Sequence, residues 1–167
     1  MRNVRAYPAY RGIFHFPEEE KKQILIDAAD ALCRRFTPEV GCIRSWDHMG
    51  TRYGWWYPVI IDNMMNLELL MWAWEQTGDQ KYYDVATTHA KTTAKNHFRE
   101  DNSSYHVVNY DPQTGEILFQ GTHQGLADDS SWSRGQGWGL YGYTVMYRFT
   151  KDQAFLDKAH RIAEYIT

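Results

Sequence analysis

The sequence predicts an all-α fold in which pairs of helices are arranged around a common axis, with one small β-hairpin inserted between them. The first observation is an internal repeat, because residues Thr77–Ala86 align with Thr150–Ala159 at an offset of 73 residues. In each copy a short turn joins an aromatic-rich helix to a more polar helix. Such a pair cannot bury its apolar face alone, so several pairs stack into a toroid or a solenoid.

The second observation is a helix whose surface is apolar almost all round. It is predicted to begin between Pro58 and Asp62 and to end at Thr77, and its apolar residues are Ile61, Met64, Met65, Leu67, Leu69, Leu70, Trp72 and Trp74. A helix of this kind belongs in the interior of a larger assembly, as the inner helix of a stacked pair.

The third observation is a change of character over residues 103–120. Ser104–Tyr110 is a strand-like run, Asp111–Gly115 has the composition of a turn, and Ile117–Phe119 is apolar again. This pattern predicts a β-hairpin between helices.

The remaining segments complete the helix pairs. Pro17 followed by three glutamates favours a helix start, and apolar residues at every fourth position predict an amphipathic helix over residues 17–36. Further helices are predicted over residues 80–98, over residues 134–149, and from Asp152 to the end of the chain. Because these segments make only about two and a half pairs, we expect residues 1–167 to form a single incomplete domain. The N- and C-terminal helix pairs of a longer protein are then missing.

Composition narrows the classes of function. Aromatic residues make up 16% of the chain, and 18 basic against 21 acidic side chains give a net charge of −3. No basic footprint for nucleic acid is present and no apolar run could span a bilayer, so neither partner is expected. Cys33 and Cys42 form neither a disulfide framework nor a zinc spacing. We expect no metal, no cofactor and a cytoplasmic location, with the periplasm as the alternative.

Asp62 is the leading candidate for chemistry because it is a lone carboxylate between two apolar stretches. Apolar surroundings raise the pKa of a carboxyl group and allow it to donate a proton near neutral pH. The alternative is an N-cap aspartate, in which case the helix dipole lowers the pKa of Asp62 instead. The sequence leaves both interpretations open.

Arg134 and Trp138 are four residues apart on a predicted helix, so they share one face. A guanidinium group beside an indole can bind a sugar acid, since Arg holds the carboxylate and Trp stacks on the sugar ring. Gly135 and Gly137 each cost the helix about 1 kcal/mol relative to alanine. That cost implies either close helix packing or a ligand that approaches the backbone.

Aromatic residues gather in the loops that precede the inner helices, namely Trp46, Trp55, Trp56, Tyr57 and Trp132. Any one of them could cover the core, but their clustering at one end of the stack favours a carbohydrate cleft. At the repeat offset Asp62 aligns with Gly135, so both are predicted to face that end. His106 and Gln124 are candidate hydrogen-bonding partners for a sugar.

Four segments together resemble the unsaturated glucuronyl hydrolases of glycoside hydrolase family 88. They are Ser45–Asp47, Ile60–Leu67, Ser104–His106 and Asp128–Trp138, and the similarity extends from about Pro17 to the end of the chain. The resemblance implies that the helix pairs belong to an (α/α)6 toroid of the six-hairpin glycosidase type.

The resemblance also implies a reaction. Its substrate is an oligosaccharide left by a polysaccharide lyase, as in glycosaminoglycan degradation, with a C4=C5 double bond in the terminal uronic acid. A proton goes to C4, water adds at C5, and the hemiketal then opens and releases the unsaturated glucuronyl residue. By motif, Asp62 is the general acid and base, and the positions that line the sugar site are Trp46, His106, Gln124, Arg134 and Trp138.

One part of the family pattern is missing. The family has a second essential aspartate in an upstream His-Asp-x-Gly-Phe stretch, and this sequence contains no such stretch. The absence of this stretch again predicts that the sequence is an internal piece of a longer protein. An open toroid exposes apolar inner helices, so we also expect self-association through them.

Three other functions stay open at this point. An unsaturated rhamnogalacturonyl hydrolase has the same toroid and chemistry, although Ser104–His106 favour the glucuronyl type. A conventional glycosidase pairs Asp62 with Asp128 or Asp129, although two adjacent acids before a helix are more typical of a capping loop. The third possibility is a carbohydrate-binding remnant without activity.

Overall fold

The computed structural model describes residues 17–167, and over that range the chain is mostly helical. Six α-helices, one 3-10 helix and five short strands follow in the order α1 (Glu18–Cys33), β1 (Phe36–Thr37), β2 (Cys42–Ile43), α2 (Gly50–Tyr53), β3 (Pro58–Ile60), the 3-10 helix (Ile61–Asn66), α3 (Leu67–Thr77), α4 (Gln80–Asn96), β4 (Val107–Tyr110), β5 (Ile117–Gly121), α5 (Ser133–Thr150) and α6 (Gln153–Ile166). The predicted all-α class is confirmed, and α3–α4 and α5–α6 are the two copies of the repeat.

Each copy of the repeat turns in the same way. The Thr77 hydroxyl donates to the Ala73 carbonyl at 2.8 Å, and the Thr150 hydroxyl donates to the Met146 carbonyl at 2.7 Å. An aspartate two residues later then caps the next helix, since its carboxylate accepts a main-chain N–H at 3.0 Å in both pairs. This turn chemistry explains why the repeat is visible in the sequence.

The two pairs pack closely because glycines of α5 face the 3-10 helix. A Cβ atom on Gly135 would lie 2.8 Å from Cγ2 of Ile61, and one on Gly142 would lie 2.5 Å from Cβ of Met64. Close packing is therefore the compensation for Gly135, whereas a Cβ on Gly137 would meet nothing within 4 Å. The core between the helices contains fully buried side chains, among them Leu67, Leu70, Met71, Tyr143, Met146 and Ile162.

The predicted hairpin is part of a three-stranded antiparallel sheet of order β3-β4-β5. β4 and β5 form the hairpin, and β3 pairs with β4 from Pro58 to Ile60. The helix predicted to start between Pro58 and Asp62 is therefore preceded by a strand and a 3-10 helix, and its α-helical part begins only at Leu67. A short apolar run suits a buried strand and a buried helix equally, which is why its periodicity did not separate them.

The first helix is shorter than predicted. α1 ends at Cys33 rather than near residue 36, because Phe36 enters strand β1 and pairs with Ile43 of β2. Among the helices of residues 17–167, none combines the length and the apolar character needed to cross a bilayer.

Candidate active site

The small sheet brings the candidate residues to one edge. β3 ends two residues before Asp62, and its last residue pairs with Val107, which follows His106. Val107 also pairs with Gly121, the last residue of β5. Antiparallel pairing therefore places Asp62, His106 and the start of the loop after β5 at the same end of the sheet.

Asp62 lies in the first turn of the 3-10 helix and is not its N-cap. Ile60 holds the cap position, and no side chain caps this helix, so the N-cap interpretation of Asp62 is wrong. The Asp62 side chain is 22% exposed, and its Oδ2 atom is buried without a hydrogen-bond partner in the described part of the chain. Burial raises the pKa of Asp62, while its own main-chain N–H and the charge of Arg134 act in the opposite direction.

His106 faces Asp62 with a neutral ring. Its Nε2 atom lies 3.8 Å from Asp62 Oδ2, and the His106 side chain is almost fully buried. Burial lowers the pKa of His106 to about 4, and the charges of His123 and Arg134 act in the same direction. A carboxyl group with a raised pKa therefore stands beside an imidazole that is neutral at pH 7.

The other ring nitrogen of His106 accepts hydrogen bonds from the loop after β5. The main-chain N–H groups of His123 and Gln124 lie 3.0 and 3.2 Å from Nδ1, and the hydroxyl of Thr122 lies 3.4 Å from it. Two of the predicted site residues, His106 and Gln124, are thus in contact, and the contact is made by the main-chain N–H of Gln124.

Arg134 stands at the start of α5 beside the same loop. Its Nη2 atom donates to Oε1 of Gln124 at 2.8 Å, and its guanidinium carbon lies 4.4 Å from the ring centre of Trp132. The Trp132 ring in turn lies 4.3 Å from the His106 ring. A positive charge is therefore held over an aromatic face next to His106, where it can bind the carboxylate of a ligand.

Trp46 closes the site on another side. Its ring meets the rings of His106 and His123 edge-on, at centroid distances of 6.0 and 5.3 Å. Arg35, just after α1, holds the segment of Trp46 in place, because its two Nη atoms donate to the carboxylate of Asp47 at 2.9 and 3.1 Å. The position of Trp46 is thus set by an ion pair outside the site.

A stack of three rings extends the aromatic surface. Trp55 lies between Tyr53 and Phe119, with centroid distances of 4.8 and 5.1 Å, and the His123 ring contacts Tyr53 edge-on at 5.6 Å. Trp55 is buried with both faces covered, whereas Tyr53 is 38% exposed. The stack therefore supports the Tyr53 ring, whose exposed surface is suited to the apolar face of a sugar ring.

Some predicted residues lie outside this group. Trp138 follows Arg134 by one turn of α5, and its ring meets that of Tyr141 at 6.2 Å; no contact among the described residues joins Trp138 to Asp62. The Tyr57 hydroxyl is buried against the main-chain carbonyls of Arg35 and Cys42, so Tyr57 supports the fold. Trp56 is 61% exposed.

Asp128 and Asp129 do not form a carboxylate pair with Asp62 in the contacts of the described residues. Asp128 Oδ1 accepts a hydrogen bond from the main-chain N–H of Thr122 at 2.8 Å, which ties the loop to itself. Asp129 is exposed. His123 was not predicted and Trp132 was given no role of its own, because their contacts with His106 depend on the path of a polar loop. Within residues 17–167, no three His, Cys, Asp or Glu residues group together in a way that could hold a metal.

Comparisons with known proteins identify the family of the chain. The family model of Glycosyl Hydrolase Family 88 matches residues 13–167. The chain is 44% identical over 144 residues to an unsaturated glucuronyl hydrolase of Formosa agariphila, covering 86% of this chain and 36% of that protein. It is 40% identical over 146 residues to an unsaturated chondroitin disaccharide hydrolase of Streptococcus pneumoniae, covering 87% of this chain and 36% of that protein.

Solved structures give the same result. An unsaturated glucuronyl hydrolase specific for heparin is 50% identical with a TM-score of 0.84, over 89% of this chain and 39% of that chain. The unsaturated glucuronyl hydrolase of Bacillus sp. GL1 is 40% identical with a TM-score of 0.81, over the same shares of both chains. The chain thus spans between a third and two fifths of the length of these relatives, and the predicted part of an (α/α)6 toroid is confirmed. On the family match and these identities, the chain belongs to glycoside hydrolase family 88.

Proposed function

We propose that the protein carrying this chain is a hydrolase of unsaturated uronic-acid oligosaccharides, the products of polysaccharide lyases, and that it hydrates their C4=C5 double bond. The observation that carries this proposal is the half-buried carboxyl group of Asp62, whose pKa is raised by burial, beside the neutral ring of His106. Protonation of a vinyl ether carbon needs an acid that keeps its hydrogen near neutral pH.

In the proposed reaction, Asp62 donates its proton to C4, and the positive charge that develops at C5 is shared with the ring oxygen. Water adds to C5 and gives a proton to the Asp62 carboxylate, which restores the acid. The hemiketal at C5 opens to a ketone, and the hemiacetal left at C1 releases the alcohol of the next sugar. One water molecule is consumed, and the glycosidic bond is broken without direct attack on it.

The proposal gives the other site residues binding roles. Arg134 binds the carboxylate of the uronic acid, with Gln124 holding its guanidinium group at 2.8 Å. Trp46 offers its ring beside His106, and Trp138 is a further sugar contact one turn along α5. The charge of Arg134 acts on Asp62, so a substrate whose carboxylate is bound by Arg134 would have C4 near the acid.

The class of substrate is proposed from the relatives. Two of them are named for chondroitin disaccharides and for heparin, so we propose unsaturated disaccharides of glycosaminoglycans. These names favour a glucuronyl substrate over an unsaturated rhamnogalacturonyl substrate.

We also propose that the isolated chain associates with itself. Met65 of the 3-10 helix and Tyr141 of α5 are 39% and 37% exposed, and exposed apolar surface favours association. Light scattering after size exclusion tests this: we expect a mass above 19.7 kDa that falls in the Met65→Glu variant. A monomer at all concentrations contradicts the proposal.

The activity is tested with the complete gene product that contains this chain. Unsaturated chondroitin and heparin disaccharides are compared with their saturated counterparts, and the ultraviolet absorbance of the double bond is followed. We expect the absorbance to disappear with the unsaturated substrates and no cleavage of the saturated ones. Cleavage of both kinds would indicate a conventional glycosidase, and binding without loss of absorbance would indicate a carbohydrate-binding protein; either result overturns the proposal.

A further inference from the structure

The loop that contacts His106 is closed by two hydrogen bonds. The main-chain N–H of Thr122 donates to Oδ1 of Asp128 at 2.8 Å, and the Thr122 hydroxyl oxygen accepts from the N–H of Gly125 at 2.7 Å. Between these two bonds, the N–H groups of His123 and Gln124 both point to Nδ1 of His106. We call residues 122–125 the clamp turn.

The clamp turn decides which nitrogen of His106 carries the ring hydrogen. A neutral imidazole has one N–H donor and one acceptor nitrogen. Because Nδ1 faces two main-chain donors, it must be the acceptor, and the hydrogen must be on Nε2. The hydrogen therefore lies on the nitrogen that stands 3.8 Å from Asp62 Oδ2.

We propose that Asp128 is a positioning residue for Asp62. By closing the clamp turn, Asp128 aims two main-chain N–H groups at His106, keeps the ring hydrogen on Nε2, and so presents a neutral donor to one oxygen of the Asp62 carboxyl group. This inference rests on the proposed function of Asp62 as the acid, and it gives Asp128 a task different from that of a second catalytic carboxylate.

A hydrogen on Nε2 of His106 also affects which oxygen of Asp62 carries the acidic hydrogen. Nε2 of His106 and Oδ2 of Asp62 are both buried without a hydrogen-bond partner among the described residues, and they lie 3.8 Å apart. Because the Nε2–H group faces Oδ2, the proposal places the hydrogen of the acid on Oδ1, from which it is delivered to the substrate. After proton transfer, the Nε2–H group stabilises the carboxylate from the side of Oδ2. Asp62 can then accept a proton from water at Oδ1.

Asp128 is itself held in place from several sides. Arg99 Nη2 donates to the main-chain carbonyl of Asp128 at 2.7 Å, and the Arg99 guanidinium group lies 4.0 Å from the ring centre of Tyr105. A Cβ atom on Gly121 would lie 2.3 Å from Asp128 Oδ1. Glycine at position 121 therefore permits the close approach of the carboxylate to the start of the clamp turn.

The charged and titratable groups that the described residues place around the His106 ring are Asp62, His97, His123 and Arg134. Asp62 faces Nε2, and the charges of His123 and Arg134 act on the ring from the loop and from α5. Burial and the charge of Arg134 oppose a second proton on His106, so the ring remains a neutral donor while Asp62 gains and loses its proton.

The test uses the complete gene product labelled with ¹⁵N at histidine. The Asp128→Ala variant removes the acceptor of the Thr122 N–H, Asp128→Asn keeps an oxygen acceptor, and Asp129→Asn is the matched control at the neighbouring exposed acid. Nitrogen chemical shifts, assigned through His106→Gln, show which ring nitrogen carries the hydrogen. Turnover of an unsaturated disaccharide is measured on the same samples.

We expect the wild type, Asp128→Asn and Asp129→Asn to keep the hydrogen on Nε2 and to have similar turnover. In Asp128→Ala we expect both tautomers and a fall in kcat of about tenfold, with KM changed by less than about twofold. A pure Nε2–H form in Asp128→Ala, or a wild type with the hydrogen on Nδ1, overturns the proposal. If Asp128→Ala does not fold, Thr122→Val opens the clamp turn instead and is expected to give the same two changes.

The tautomer measurement needs no substrate. A wild type that fails to act on unsaturated disaccharides therefore refutes the proposed function and leaves the result for Asp128 readable from the nitrogen shifts alone.

Discussion

At the turn between α3 and α4 and at the turn between α5 and α6, the chain makes the same hydrogen bonds at nearly the same lengths. In both, a threonine hydroxyl accepts from the N–H of an aspartate at 3.1 Å, and that aspartate caps the next helix. At the other end of the two pairs the aligned residues differ completely. Asp62 is a half-buried acid, whereas Gly135 packs against Ile61.

The difference teaches that the two ends of a helix pair are under separate constraints. At the turn end the sequence is restricted, because helix N-caps and tight turns both favour the same few residue types. The opposite end is reached by strands and loops of different length, so each pair can offer a different side chain there. The predictions below test this division, from the largest effect to the smallest.

The largest effect is expected for Asp62→Asn in the complete gene product. Because the amide cannot donate a proton to C4, kcat should fall about a thousandfold, while thermal unfolding changes little. Loss of double-bond absorbance measures kcat. The control is Asp157→Asn on α6, an exposed side chain that accepts from Gln153, which should leave turnover unchanged. Turnover of Asp62→Asn within tenfold of the wild type contradicts the role of Asp62.

The next effect is a loss of stability at low pH. His89 of α4 and His97, the residue after α4, are fully buried, and burial lowers the pKa of each to about 3. The residue of α6 aligned with His89 is Ile162. Between pH 6.5 and about 3 the unfolded chain binds protons that the folded chain does not, so the free energy of unfolding decreases as pH falls. The decrease is up to about 1.4 kcal/mol per pH unit for each histidine.

Hydrogen exchange at pH 7 and pH 5 checks where this loss acts. Rates are compared as protection factors, which correct for the slower intrinsic exchange at pH 5. We expect protection to decrease first in α4, and the decrease to become smaller in a His89→Gln variant. An equal decrease of protection in α4 and α6 would show that the two pairs do not differ in this respect.

The third prediction concerns the packing between the pairs. In Gly142→Ala the new Cβ atom lies 2.5 Å from Cβ and 2.8 Å from the carbonyl oxygen of Met64, so the backbone must shift. We expect the free energy of unfolding to fall by about 2 kcal/mol. Gly137→Ala is the matched control, because open space surrounds it, and the better helix propensity should stabilise by up to about 1 kcal/mol. Urea unfolding measures both; equal effects refute the packing argument.

The smallest effect is expected at the turns. Asp152→Ala removes the cap of α6 and should lower the free energy of unfolding by about 1 kcal/mol without change in turnover. Asp79→Ala should act in the same direction at α4. Chemical unfolding with an activity assay on the same samples tests this. A loss of turnover without loss of stability would mean that the turn end also takes part in function.

Much of the fold could be predicted from the sequence because its signals are local. The repeat is carried by a threonine and an aspartate two residues apart, and Asp62 is conspicuous as a single acid in an apolar run. Strand β3 was not predicted, because its pairing partner Val107 lies more than forty residues away and no local pattern records that contact.

The site was predictable in its residue types more than in its arrangement. Trp46, His106, Gln124 and Arg134 come together, but the contact between Gln124 and His106 runs through main-chain atoms, which sequence patterns do not encode. The proposed positioning role of Asp128 could not be predicted either. An aspartate that caps a loop and an aspartate that takes part in catalysis look the same in a sequence.

The antiparallel pairing of β3, β4 and β5 has a practical meaning for anyone who prepares the protein. Successive residues of a strand point to opposite faces, so a shift of β4 by a single position would turn the imidazole of His106 away from the acid while leaving helix content and compactness almost intact. If Asp62 acts as proposed, a preparation with misaligned strands would lose specific activity while its circular dichroism spectrum changed little.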